Sequence, residues 1–337
     1  MNVKRPMLSK MSLMVLGVMA LLFLTWVWGT QPLFFAVAKP HVPLVSPARL
    51  ETHVRMLSET FFPRDATHPD NLDRVAAYIR QEFVRAQGRV SEQPYTVAGR
   101  TYRNVLALFG PDTKERIVVG AHYDTAGMQP GADDNASGVA GLIELANILR
   151  EASLPLCVEL VAFTLEEEQR FHSAQMGSAV HAASLRQQNI PVRVMFSLEM
   201  IGYFTDAPHS QRFPLPFLAA VYPSQGNFIA IVGNLSQGLV VRQVKQAMRS
   251  ASPLPVHTLN APRIVPGVDF SDHRNYWQAG YDAVMVTDTA FYRNPHYHTK
   301  QDTADTLDYE RMAMVVQGVY ATVLACAQEG DLFPIKK

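Results

Sequence analysis

The chain has almost no cysteine. Only Cys157 and Cys326 occur in 337 residues, too few for a disulfide scaffold or a thiolate zinc site, so any bound metal must be held by histidine and carboxylate. Charge of one sign is not in excess either. Thirty Lys and Arg face thirty Asp and Glu, which excludes the basic surface that a nucleic-acid partner would need. There is no internal repeat and no low-complexity segment, and 48% hydrophobic residues exclude disorder as the main state.

What the chain does have is an uneven start. Residues 1–38 contain Lys4, Arg5 and Lys10 and no acid, so the remainder holds 27 basic and 30 acidic residues, a net charge of −3. Met11 to Gly29 is uncharged and rich in Leu, Val, Met and Trp. As a helix it would span roughly 28 Å, against a hydrocarbon core of about 30 Å. Cations precede the stretch and none follows until Lys39, so the positive-inside rule leaves the N-terminus in the cytoplasm and exports the rest. The expectation is one N-terminal transmembrane helix with the domain outside the cytoplasm, as in a bacterial periplasm. The alternative is a signal peptide cleaved near Ala36-Val37-Ala38, which would give a secreted form. Asn135-Ala136-Ser137 and Asn234-Leu235-Ser236 match the N-glycosylation pattern, and a glycan at the first would obstruct the loop described below, which favours a compartment without that machinery. Residues 1–38 are thus read as cytoplasmic stub and anchor, 39–50 as a proline-punctuated linker and 51–337 as the catalytic domain.

Within that domain, short β-branched runs alternate with helical patterns. Leu72, Val75, Ala76, Ile79 and Phe83 mark one helix face, with Gly88 as its stop. Residues 138–150 and the stretch carrying Met312, Val315, Val316, Val319 and Val323 read as further helices. Strands are expected at 117–121, 158–163, 192–198, 228–232 and 283–287. This alternation predicts an α/β fold with a mostly parallel sheet covered by helices on both sides. The proline-rich stretch from Tyr203 to Asp269 is expected to wall a substrate pocket, because loops of open α/β sheets gather at the strand ends where ligands bind.

The chemistry lies just after the strands. His122-Tyr123-Asp124 follows the first; Gly131-Ala132-Asp133-Asp134-Asn135-Ala136-Ser137-Gly138 leads into a helix; Glu166-Glu167 follows the second strand; Glu199 ends the third; His296-Tyr297-His298-Thr299 follows the last. Strand ends of a parallel sheet converge on one crevice, so these groups can meet. Imidazole and carboxylate without thiol suit zinc, manganese or cobalt, and so many carboxylates beside apolar strands require neutralising cations. His172, His181 and His209 read as surface residues, and Cys157 and Cys326 as inert thiols.

As an ordered set, these motifs, with Glu199-Met200-Ile201-Gly202-Tyr203 and Tyr297-His298-Thr299 followed by Asp302-Thr303, resemble the M28 family of zinc peptidases over roughly residues 50–330. The resemblance implies a three-layer sandwich with a mixed, mostly parallel sheet and two Zn2+ bridged by Asp134. One ion would also hold Glu167 and His298, the other His122 and Glu199. Glu166 would be the general base, Asp124 would orient His122, and Tyr297 would donate its hydroxyl to the oxyanion. Ser271-Asp272-His273 reads as a substrate-pocket element, with His273 as the candidate contact. Two features depart from the family pattern. Position 199 is Glu where many members carry Asp, and Glu168-Gln169-Arg170-Phe171-His172 replaces the usual Gly-Leu turn after the glutamate pair. The implied function is an aminopeptidase acting on peptide substrates. The alternatives are a glutaminyl-cyclase-like acyl transferase, which keeps one zinc, and an inactive peptidase-like binding domain; side-chain preference and oligomeric state are not legible.

Overall fold

The structure, a computed structural model, describes residues 10–30, 41–167 and 170–328. In chain order its elements are α1 (Lys10–Thr30), α2 (Pro47–Arg55), α3 (Pro69–Arg85), β1 (Arg89–Val97), β2 (Arg100–Phe109), β3 (Arg116–His122), α4 (Gly138–Leu149), β4 (Cys157–Phe163), α5 (Gly177–Gln187), β5 (Val192–Glu199), β6 (Ile229–Gly233), α6 (Gly238–Ala251), β7 (Val256–Asn260), α7 (His273–Gln278), β8 (Ala283–Thr287) and α8 (Tyr309–Gln328).

The eight strands form one sheet in the order β1-β2-β4-β3-β5-β8-β6-β7. The pairs β4/β3, β3/β5, β5/β8 and β6/β7 are parallel; β1/β2, β2/β4 and β8/β6 are antiparallel. The α/β fold with a mixed, mostly parallel sheet is therefore as expected. β3 is buried on both faces: Ile117, Val119 and Ala121 join the apolar cluster that includes α2, α3, α4, α6 and α8, while Val118 joins the one that includes α5 and α7. Burial on both sides is why this strand reads as a continuous apolar run rather than an alternating one. Gly120 is required by close approach, since a Cβ there would lie 2.1 Å from the Phe163 ring.

The expected α3 begins at Pro69, which is tolerated because the first helical turn leaves its N–H unpaired anyway. It ends before Gly88, whose N–H donates to the Phe83 carbonyl. The β1–β2 hairpin was not legible in the sequence. β1 is an edge strand with largely exposed residues such as Arg89, Ser91 and Glu92, so it lacks apolar alternation, and only the Ala98-Gly99 turn, both at positive φ, marks the reversal. β7, the opposite edge, is also not legible: its buried positions are Val256, Thr258 and Asn260, so the alternation in burial is not one of apolar and polar residues.

The apolar N-terminal run does form a helix, α1, on which Leu13, Leu16, Leu21 and Leu24 are exposed. The transmembrane expectation finds no support here: among the described residues, no helix is long and apolar enough to cross a membrane. Lys4, Arg5, the Ala36-Val37-Ala38 cleavage signal and Lys39 lie outside the described residues, as do Glu168 and Gln169 of the departing turn.

Candidate metal centre

β4, β3, β5 and β8 are adjacent and parallel, so their C-terminal ends open on one edge of the sheet. His122 is the last residue of β3, Glu199 the last of β5, and Glu166-Glu167 follow β4 after two residues. Asp134 enters from the turn before α4, and His298 from the loop after β8. His122, Asp134, Glu166, Glu167 and Glu199 are buried, and His298 is half-buried.

The cluster divides around one carboxylate. Asp134 Oδ1 lies 3.4 Å from His122 Nε2, which is 3.3 Å from Glu199 Oε2. Asp134 Oδ2 lies 3.1 Å from His298 Nε2, which is 3.3 Å from Glu167 Oε2. Each oxygen of Asp134 thus faces a separate imidazole–carboxylate pair. Glu166 stands further off, its Oε2 4.0 Å from His122 Nε2.

These residues fit a metal. His122 Nε2 and Glu167 Oε1 are buried and make no hydrogen bond, an arrangement that costs free energy unless a cation joins them. His122, Asp134 and Glu167 each offer a ligand atom within 4.8 Å of the others. Nitrogen and oxygen donors without thiolate match zinc, manganese or cobalt.

The electrostatics carry the same message. Burial lifts the Glu167 carboxyl, with the Asp134 charge adding, to about 8. Burial also lifts Glu166 well above the carboxylate range, reinforced by Glu199 and Glu167 although His122 opposes it. Burial resists a charged His298, yet the carboxylates of Asp134 and Glu167 prevail and raise it to about 10. Asp134 is held below its usual range despite burial, because an imidazole stands against each of its oxygens, at 3.4 Å for His122 and 3.1 Å for His298. Protons therefore occupy this centre unless cations displace them, and metal uptake must release protons.

A shell of hydrogen bonds fixes the ligands. The Asp124 carboxylate accepts the backbone N–H groups of Glu166 (3.1 Å) and Glu167 (3.2 Å). It lies 3.7 Å from His122 Nδ1, whose shorter contact, 3.2 Å, is to the Asp124 carbonyl. The Asp124 carboxylate therefore stands beside His122 while also holding the amides of the glutamate pair. Asp302 accepts the N–H groups of Asp133 and Asp134. Asp133 accepts from Gly202 N–H and Asn294, and Ser271 donates to Glu199 Oε2 at 2.7 Å. Asn135 is fully buried, accepting from Gly138 and Met200 N–H and donating to the Leu198 carbonyl. The sequence gives no role to Asp133, Asn135 or Asp302, although each lies in a quoted motif, and it places Ser271 in a substrate-pocket element rather than against Glu199.

Two expectations need correction. His273 is fully buried, its Nε2 on the Val268 carbonyl and its ring edge-on to Trp277, so in this conformation it offers no surface to a substrate. His181 is not a surface residue; it is buried, its Nδ1 2.6 Å from the Tyr276 hydroxyl and its Nε2 3.5 Å from Glu159. His172 and His209 are exposed, and both cysteines are buried without a disulfide.

Beside the centre opens a cavity with Glu199 and Tyr297 among its lining residues. Its walls come largely from the proline-rich stretch, including Phe213, Leu218 and Phe228, with Met285 and Phe291 from further on. His257, also in the wall, is held neutral at pH 7: burial and the charges of Lys245, Arg249 and Arg293 push it down to about 4. Tyr297 stacks on the His298 ring at 3.8 Å, and burial together with the nearby carboxylates raises its hydroxyl, so it keeps its proton.

The model of the family described as peptidase family M28 matches residues 104–323. An Escherichia coli K12 protein described as "Uncharacterized protein YfbL" is 49% identical over 291 residues, covering 84% of this chain and 89% of its own. Leucine aminopeptidase 1 of Ajellomyces dermatitidis is 25% identical over 221 residues, 62% of this chain, and the chain spans only about half (52%) of that relative. Among solved structures, a zinc aminopeptidase from Bacillus subtilis superposes with TM-score 0.67 at 14% identity, over 88% of this chain and 99% of its own. A Bacteroides thetaiotaomicron glutaminyl cyclase gives 0.65 at 18% identity, over 84% and 99%. At those identities the structural likeness concerns the fold alone.

Metal analysis of three variants checks the division around Asp134. Asp134→Ala removes a donor from both halves and is expected to approach zero bound divalent ions, whereas His122→Ala and His298→Ala should each keep about one of two. Two ions retained in Asp134→Ala would show that this carboxylate is not the bridge.

Proposed function

The chain belongs to peptidase family M28, and from that premise we propose that it is a two-zinc aminopeptidase that releases N-terminal residues from peptides. The observation that carries this reading is the Asp134 carboxylate turned to two imidazole–carboxylate pairs with Glu166 alongside. His122, Glu199 and Asp134 would hold one ion, and His298, Glu167 and Asp134 the other. Bound there, the ions would polarise the scissile carbonyl and acidify the attacking water. The rest falls to the chain's own groups. Glu166, outside the tight ligand set, takes the proton from the water and returns it to the leaving amine. Asp124 keeps Glu166 and Glu167 apart by holding both amides. The protonated Tyr297 hydroxyl would donate to the developing oxyanion.

The cavity beside Glu199 would receive the side chain of the departing residue. A second reading, a cyclase-like acyl transferase, draws only on the shared fold; the complete donor set for a second ion weighs against it. The complete set together with Glu166 also weighs against an inactive binding domain. For the cellular setting, the uncharged run Met11–Gly29 after Lys4, Arg5 and Lys10 supports export of the catalytic domain from the cytoplasm.

Glu166→Gln is expected to keep its metal and fold while losing roughly 10²–10⁴-fold in turnover. Loss of a metal equivalent in this variant, with Glu167→Gln retaining both, would exchange the two assignments. Across aminoacyl anilides, kcat/KM should favour bulky uncharged residues such as Leu, Phe and Met over Lys and Arg, because the cavity offers no carboxylate besides Glu199; equal turnover of Lys and Leu substrates would refute the cavity's role. Finally, an exported catalytic domain should be digested by protease added to intact spheroplasts, and protection there would place it in the cytoplasm.

A further inference from the structure

Arg64 is a fully buried arginine between α2 and α3, outside the residues that the family model matches. Its guanidinium spends its hydrogen bonds on main-chain carbonyls. Nε donates to Tyr123 (3.1 Å), Nη1 to Leu57 (2.8 Å) and Pro130 (2.7 Å), and Nη2 to Gly131 (2.8 Å). Its own carbonyl accepts from Thr125 N–H. Tyr123 stands between His122 and Asp124, and Pro130 and Gly131 open the turn that delivers Asp133 and Asp134. One side chain therefore joins the chain just past His122, at the end of β3, to the turn that carries Asp134.

An arginine buried without a carboxylate in its hydrogen bonds is costly, so its retention calls for a physical reason. Burial lowers its pKa to about 10, with Asp302, Asp124, Asp134 and Glu167 counteracting, so it stays charged at neutral pH. A cation this close to the centre opposes further cations by charge. Whatever it contributes to metal binding must come from geometry. The planar guanidinium has five N–H donors in a fixed fork, which lets it gather carbonyls from three segments at once; lysine has the charge without the fork. Gly131 is adapted to the same contact. It sits at φ +58°, and a Cβ there would lie 3.0 Å from Arg64 Nη2 and 2.4 Å from the Asp134 carbonyl.

We infer that Arg64 is a positioning residue that holds the His122 and Asp134 loops at ligating separation and thereby sets the affinity for metal. The inference rests on the metal-centre reading above. It is separable from it, because zinc binding by the wild-type chain tests the centre and the change on substitution tests Arg64.

The experiment titrates zinc against a competing chelator in the wild-type chain, Arg64→Lys and Arg64→Ala, with thermal melts of each in the metal-free and zinc-loaded states. Arg64→Lys should bind zinc roughly 10–100-fold more weakly although it keeps the charge. Its zinc-loaded form should lose more thermal stability than its metal-free form. Free guanidinium at millimolar concentration should restore part of the zinc affinity of Arg64→Ala. Should Arg64→Ala fail to fold, Arg64→Lys decides alone. Wild-type affinity in Arg64→Lys, or an equal drop in melting temperature with and without zinc, would reduce Arg64 to a general stabilising residue and overturn the inference.

Discussion

The structure is organised around an electrostatic debt at one edge of its sheet. Asp134, Glu166, Glu167 and Glu199 are all buried within reach of two imidazoles, in surroundings where a carboxylate without a counter-charge is expensive. Three of the four respond by moving upward in pKa, whereas Asp134, which alone contacts both histidines, moves downward. That split makes Asp134 the fixed negative charge about which a pair of cations can assemble. Protons and metal ions compete for the remaining groups.

Holding such a cluster together requires a rigid frame. The sheet supplies three of the positions directly, because β3 ends at His122, β5 ends at Glu199 and β4 stops two residues before Glu166-Glu167. Those strands are buried on both faces, so their ends cannot drift without opening the core. The turn that carries Asp134 has no strand to hold it. Its frame is made of side-chain-to-backbone bonds instead: Asp302 on the amides of Asp133 and Asp134, Asn135 on the end of β5, and the Arg64 fork on the carbonyls of Pro130 and Gly131. The site is thus part sheet and part polar network, and the network is the half in which every member must be satisfied.

The cavity follows from the same topology. β6 runs antiparallel to β8, and the residues between β5 and β8 wrap back toward the metal edge, bringing Phe213, Leu218 and Phe228 beside Glu199. Apolar walls exclude water from one side of the centre, which strengthens the electrostatic interactions within it.

By itself, the sequence determined the α/β class, the strands at the core of the sheet and the identities of the groups that meet at the metal edge. Strands buried on both faces need unbroken apolar runs, and carboxylates placed directly after such runs announce themselves. The hairpin β1–β2 and the edge strand β7 left no such trace, since an edge strand tolerates polar residues on both faces. Tertiary structure alone decided the roles of Arg64, Asp302 and Ser271, which reach Tyr123, Asp133 and Glu199, each 59 or more residues away. It also decided that His273 and His181 are interior residues and that the Asp124 carboxylate holds the amides of the glutamate pair. A lone polar residue looks the same in sequence whether it faces water or a buried amide. Only the packing around it fixes which of the two it meets.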